Sequence, residues 1–311
     1  MPDETKTQSA AANTAAPVAL TRGQIFFRRL ISSVILWTIV LLAVFSNDPL
    51  VKSYFFLAIM VLLAGAGLIE FYDLARKIGL PCYKGWGIFG GLLLMVATFF
   101  YLSPLFLAPV SPAEANDFET SFLILFVLGL CVRQFVSKSN PEAITAIATT
   151  LFGLMYIPWL LNFIQKINFY PGLDGRFYVL HFILVTKFSD LGAYVTGSLI
   201  GRHKMIPRIS PGKTWEGFAG AIVISTLVSV AYMKIANDKV PQLTVVHAIV
   251  LGIILSSTAV IGDLIESLFK REAGLKDSGR LFPGIGGILD LMDSLLFNAP
   301  LMYLYLRHVL M

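Results

Sequence analysis

Apolar residues gather into runs of about twenty, separated by short stretches where charge, glycine and proline collect. A run of that length, wound as a helix at about 1.5 Å per residue, crosses the roughly 30 Å hydrocarbon core of a bilayer. The pattern predicts nine spans, at 30–45, 54–74, 86–108, 120–136, 144–164, 177–200, 215–236, 245–269 and 288–306. The expected architecture is an all-α, polytopic integral membrane helix bundle. The span that contains Lys187 and Asp190 is the least apolar of the nine. Residues 1–23 are rich in Ala, Thr and small polar residues and lack periodicity, which predicts a disordered tail. The run at 30–45 follows Arg22, Arg28 and Arg29, and no small-residue cleavage site closes it. It reads as a retained anchor helix rather than a signal peptide.

The charges between the runs give an independent test, because cytoplasmic loops collect Lys and Arg. With the N-terminus inside, the inner segments hold 17 basic residues. These are Lys6, Arg22, Arg28 and Arg29, then Arg76, Lys77 and Lys84, then Arg133 and Lys138, then Arg202, Lys204, Arg208 and Lys213, and finally Lys270, Arg271, Lys276 and Arg280. The outer segments hold 5, at Lys52, Lys166, Arg176, Lys239 and Arg307. The acidic stretch with Glu114, Asp117 and Glu119 falls outside. This alternation supports the nine-span count and the orientation, with the N-terminus cytoplasmic and the C-terminus external; the expected location is the cell (inner) membrane, as a multi-pass protein.

Composition agrees. Of 311 residues, 56% are hydrophobic and 14% charged, against about 25% charged in soluble domains. Net charge is +5, but it is dispersed over loops, and no nucleic-acid partner is expected. Cys82 and Cys131 match no metal or redox spacing, and the four histidines are scattered. The first half, to about residue 164, has almost no ionisable residue within a span. A division follows, with the tail at 1–23, scaffold helices over 24–170 and a catalytic membrane region over 171–311.

Two stretches carry the chemistry. From Gly262 to Asp293 the chain reads GDLIESLFKREAGLKDSGRLFPGIGGILDLMD. Asp263 and Glu266 share a helical face, with Ser267 one residue on, and Asp290 and Asp293 repeat the spacing. Between them lie Lys270, Arg271, Lys276 and Arg280, then the flexible pairs Pro283-Gly284 and Gly286-Gly287. Two acidic faces and a basic loop suit a divalent cation that carries a phosphate substrate.

In the second stretch, Lys187 and Asp190 lie at a depth where charge is costly and usually faces a polar cavity or a partner. The bland alternative is an ion pair that only locks two helices. Arg202 and the segment Ser210-Pro211-Gly212-Lys213-Thr214 then precede Trp215-Glu216 at a predicted helix start, a setting that suits an anion. It is not a phosphate loop of the GxxxxGK[ST] kind, because Pro207 replaces the first glycine and no strand is expected before the helix.

At these residues the sequence resembles the phosphatidate cytidylyltransferase (CDP-diacylglycerol synthase) family. The family's terminal pattern stands here as Ser267, Lys270-Arg271, Lys276-Asp277, Gly286-Gly287, Asp290 and Asp293. Gly262-Asp263-Leu264, Glu266-Ser267 and Ser210-Pro211, Lys213-Thr214, Glu216-Gly217 also look like the family. Ile285 stands where the family has His, and Leu291 where it has Arg.

The resemblance covers about Lys187 to Asp293. It implies an Mg²⁺-dependent reaction of phosphatidic acid with CTP at a cytoplasm-facing site, with room for a second cation and for a homodimer. Asp263 and Asp290 would hold metal, joined by Glu266, Asp293 and Asp190. Lys213, Lys270 and Arg271 would serve the phosphates. Ser210, Thr214, Glu216, Arg202, Lys276 and Ser267 would bind substrate.

Other classes fit less well. A transporter would show paired halves with interrupted helices, and the carboxylates cluster at one membrane face instead. A CDP-alcohol phosphotransferase would show a dense Asp-Gly run, which is absent from the sequence.

Overall fold

The structure is a computed structural model that describes Thr38 and residues 48–137, 142–275, 278–279 and 286–311. The expected tail at 1–23 lies outside these, as does the first span at 30–45 apart from Thr38. Lys138, Lys276, Asp277, Arg280, Pro283-Gly284 and Ile285 also fall outside the described residues.

Every other predicted span is a helical unit. They are α1 (Pro49–Lys77), α2 (Lys84–Leu102), α3 (Pro112–Val136), α4 (Ala143–Leu154) running through a π turn (Met155–Trp159) into α5 (Leu160–Asn168), α6 (Gly175–Ile200), α7 (Trp215–Ile235), α8 (Val245–Glu272) and α9 (Ile288–Tyr305). Six units are long and apolar enough to cross a membrane: α1, α2, α3, the α4–α5 unit, α7 and α8. The other two, α6 and α9, carry the Lys187–Asp190 and Asp290–Asp293 charges.

Local chemistry sets the ends. Asp48 caps α1 through the Leu50 N–H at 2.8 Å, with Pro49 behind it in the first turn. Ser111 and Glu114 form a reciprocal capping box on α3. Pro158 lies within the π turn between α4 and α5. A wider turn there tolerates a residue that lacks the amide hydrogen of a regular helix.

Between α6 and α7 the chain makes a small antiparallel hairpin, β1 (Lys204–Ile206) with β2 (Ser210–Thr214), in the register Lys204↔Thr214 and Ile206↔Ser210. A strand therefore does precede α7, contrary to the sequence expectation. The hairpin closes because Glu216 accepts the Arg202 and His203 N–H groups at 3.1 and 3.2 Å and meets His203 Nδ1 at 2.5 Å.

Leu68, Tyr72, Met95, Ile157, Tyr178, Leu255, Met292 and Tyr303 lie in one apolar core. Lipid tails are as apolar as these side chains, so helix association also needs close packing and polar ties. Asn298 supplies such a tie: it donates to Thr186 Oγ1 at 2.7 Å and to the Leu255 carbonyl at 2.9 Å, joining α6, α8 and α9.

A second polar tie corrects the sequence reading. Lys166 and Glu119 are not outer-loop residues. They lie on α5 and α3, both buried and paired, with Asn162 donating to Glu119 at 2.5 Å. The first half therefore does hold ionisable groups inside its helices.

Candidate active site

α8 and α9 pack closely at Gly262, where an added Cβ would lie 2.8 Å from the Asp293 carbonyl. That contact aligns the acidic face of α8 with the first turns of α9. Asp263, Glu266 and Asp293 then offer carboxylate oxygens that all lie within 4.8 Å of one another. Glu266 is fully buried, and its Oε1 has no hydrogen-bond partner among the described residues. Asp293 accepts from its neighbour Ser294, whose hydroxyl also lies 3.4 Å from Asp190 Oδ1.

Three lysines surround the cluster. Lys213, at the end of β2, places Nζ 2.7 Å from Asp263 Oδ2 and donates to the Val260 carbonyl at 3.1 Å. Lys270 sits between Glu266 and Asp290, with its Nζ 2.5 Å from Asp290 Oδ1. Lys187 pairs with Asp190 at 3.4 Å within the same helix, and reaches α9 by donating to the Leu291 carbonyl at 3.0 Å. The pair thus does not itself lock two helices. Five carboxylates face three lysines, so negative charge remains in a partly dry site. Such a surplus is stable only if protons or a cation neutralise it. Three converging oxygens and an orphaned Glu266 oxygen fit a divalent ion.

Asp263, at the edge of the cluster, also lines a cavity of about 420 Å³ together with Asp190, Tyr194, Ser210, Lys213 and Thr214, among others. This volume falls in the range of small-molecule sites.

The predicted residues do not all converge. Asp290 lies outside the three-oxygen cluster: its Oδ2 accepts from the Gly287 and Ser278 N–H groups at 2.7 and 3.0 Å, so it also caps α9. Ser267 touches Asp263 at 3.4 Å. Thr214 is buried and caps α7 through the Gly217 N–H. Glu216 braces the hairpin, and Arg202 is exposed beside it. Arg271 binds the Ile209 and Leu275 carbonyls at 3.1 and 3.4 Å and pins the hairpin to the end of α8. Lys270 and Arg271 belong to the last turn of α8 rather than to a loop.

The sequence reading misses two residues of the first half. Tyr156, on the π turn, is buried with its hydroxyl unpartnered among the described residues, and its ring packs on Phe269 and Phe297 at 5.6 and 6.4 Å. Glu70 of α1 reaches the start of α9. A carboxylate inside an apolar run is the signal that flags it.

A sequence model described as the Cytidylyltransferase family matches residues 27–309, nearly the whole chain. The chain belongs to the cytidylyltransferase family. Within it, a phosphatidate cytidylyltransferase of Bacillus subtilis (strain 168) is 32% identical over 248 residues, 79% of this chain and 87% of that relative. One from Staphylococcus aureus (strain COL) is 42% identical over 188 residues, 60% of this chain and 66% of its own. One from Mycobacterium leprae (strain TN) is 37% identical over 152 residues, 49% of this chain and 47% of its own. For a cytidylyltransferase, the site's position at the ends of apolar helices leaves a lipid substrate in reach of its charged groups.

Proposed function

We propose that this chain is a phosphatidate cytidylyltransferase that converts phosphatidic acid and CTP to CDP-diacylglycerol and pyrophosphate, a step of phospholipid biosynthesis. The observation that carries the reading is the convergence of Asp263, Glu266 and Asp293 beside Lys213 and Lys270, at a cavity in a bundle of apolar helices. Names of the relatives point the same way.

In this reaction a phosphate oxygen of the lipid forms a bond to the α-phosphorus of CTP. The bond from that phosphorus to the bridging oxygen breaks, and pyrophosphate leaves with the electron pair. Phosphoryl and nucleotidyl transfers need positioning and charge neutralisation rather than a protein nucleophile. Asp263, Glu266 and Asp293 would hold Mg²⁺, which neutralises phosphate oxygens when bound. Lys213 and Lys270 set positive charge beside that position, where it offsets the negative charge of the triphosphate and of the leaving pyrophosphate. Ser210 and Thr214 line the cavity that would receive the nucleotide. The acyl chains stay in the bilayer.

Arg76, Lys77, Lys204, Arg208 and Arg271 fall in the segments that read as inner, which supports a cytoplasmic active site in an inner-membrane protein. The test is purified protein in detergent with CTP and phosphatidic acid, with and without Mg²⁺, with pyrophosphate and CDP-lipid quantified together. Both products are expected only when lipid, nucleotide and metal are all present. Folded protein that makes neither would overturn the proposal.

A further inference from the structure

The α9 helix begins at Ile288, and its first amide groups need acceptors. Asp290 supplies one from within the helix. A second acceptor comes from far away in the chain: Glu70 Oε1 accepts the Ile288 N–H at 3.0 Å and Oε2 the Leu289 N–H at 2.9 Å. The Ser278 hydroxyl lies 3.0 Å from the same Oε2 and 2.9 Å from Asp290 Oδ2. Glu70 is buried on α1, with the apolar Leu68, Phe71 and Leu74 buried around it in the sequence.

The fit around it is tight. A Cβ on Gly279 would sit 2.2 Å from Glu70 Oε1, and one on Gly287 would sit 2.3 Å from Oε2. Both positions are open to glycine alone while the carboxylate stays where it is. A buried negative charge on a helix N-terminus is favoured by the helix dipole and by charge-assisted hydrogen bonds. A carboxylate placed there by another helix also fixes how far α9 is advanced and rotated. Asp293 lies on that helix, five residues after Ile288, and is the one member of the three-oxygen cluster that does not come from α8.

We propose that Glu70 is a positioning residue for the carboxylate cluster: by clamping the N-terminus of α9 from α1, it sets Asp293 against Asp263 and Glu266. The proposal rests on the cytidylyltransferase reading above and assigns a task to a helix of the N-terminal half. Glu70 touches no reacting atom. Its effect passes through the helix, as groups that hold metal ligands in place act on metal affinity.

Glu70→Gln keeps the shape and removes the charge. It should leave a folded, monodisperse protein, raise the midpoint for Mn²⁺ binding about tenfold, and lower kcat while KM for phosphatidic acid stays within twofold. The Mn²⁺ midpoint is read by electron paramagnetic resonance on protein without substrates, so it does not depend on turnover. A general loss of stability would lower the folded fraction and leave that midpoint where it was.

An unchanged midpoint and kcat in folded Glu70→Gln would overturn the proposal. If that variant does not fold, Glu70→Asp, which keeps the charge but shortens the reach, is measured the same way, and an unshifted midpoint again overturns it. Wild-type protein that is folded but has no CTP-dependent turnover would instead sink the cytidylyltransferase reading.

Discussion

Lys213 Nζ lies 2.7 Å from Asp263 Oδ2, across the gap between the β-hairpin and α8. The two residues are 50 positions apart in the chain, and both line the cavity. The pair makes the hairpin part of the site, because a lysine at the end of β2 is held at the edge of the carboxylate cluster before any substrate arrives. Its contact to the Val260 carbonyl, one turn before Asp263 on α8, holds the ammonium at the cavity wall.

The two members should fail differently. Asp263→Asn replaces a cation ligand with a neutral amide, a poor donor for a hard divalent ion. Turnover is expected to drop at least a hundredfold with membrane insertion and detergent elution unchanged. Lys213→Met removes positive charge from the phosphate path and should raise KM for CTP about tenfold or more, the effect of losing a charge-assisted contact. The check is steady-state kinetics with CTP varied at saturating lipid. Near-normal turnover in Asp263→Asn would remove that residue from the cation site.

Glu266 gives a sharper test of the metal. Its buried carboxylate is met by Lys270 at one oxygen only. If a divalent ion shares the cluster, adding Mg²⁺ to chelator-treated wild-type protein should raise the midpoint of thermal unfolding, because a ligand that binds only the folded state stabilises it. Glu266→Gln should abolish that increase. Scanning calorimetry or intrinsic fluorescence in detergent measures both. An Mg²⁺ response that survives Glu266→Gln would place the ion elsewhere.

Much of this was readable in the sequence, for physical reasons that also mark where reading stops. Each described helical unit falls on a predicted apolar run, because crossing a bilayer needs about twenty residues of low polarity, although α6 and α9, which carry charged residues, do not qualify by composition alone. Asp263 and Glu266 could be placed on one face because helical periodicity is local. Asp293 joining them could not, since that depends on how closely α8 and α9 approach at Gly262. Asp290 and Asp293 look equivalent by spacing, yet one caps α9 beside Lys270 and the other faces the cluster. Glu216 and Arg271 read as substrate contacts by charge; in the fold Glu216 accepts from the Arg202 and His203 N–H groups, and Arg271 donates to the Ile209 and Leu275 carbonyls, contacts that no linear reading supplies. Lys166 and Glu119 sit where a bilayer boundary was expected, and a linear reading cannot tell a loop charge from a paired charge one turn deeper. Glu70 was open to the rule that flagged Asp190, a carboxylate within an apolar run. What could not be read is its partner, more than 200 residues away.

The orientation has its own check. With both native cysteines replaced by serine, a cysteine at Lys239, between α7 and α8, should react in intact cells with a membrane-impermeant maleimide. A cysteine at Lys204, on the hairpin, should react only after permeabilisation. The two positions lie on opposite sides of α7, a helix of 21 residues that suffices to cross the apolar core. The reverse labelling pattern would invert the topology and put the cavity on the outer face.

The buried pair of Lys166 and Glu119 predicts a stability effect separate from catalysis. Lys166 Nζ also lies 3.0 Å from Asn116 Oδ1 and over the Phe163 and Tyr303 rings, at 4.3 and 5.2 Å from their centroids. These contacts tie α3 and α5 to α9 on the side away from the carboxylate cluster. Removing one charge leaves the other buried and uncompensated, which costs about 3–5 kcal/mol. Lys166→Met alone should therefore lower the unfolding midpoint markedly in detergent. The double substitution Lys166→Met with Glu119→Gln leaves no unpaired charge and should recover most of the loss. In the surviving folded protein, kcat and KM should match wild type, because neither residue reaches the cavity. A double variant no more stable than Lys166→Met would mean that the pair's geometry, and not its charge balance, holds these helices together.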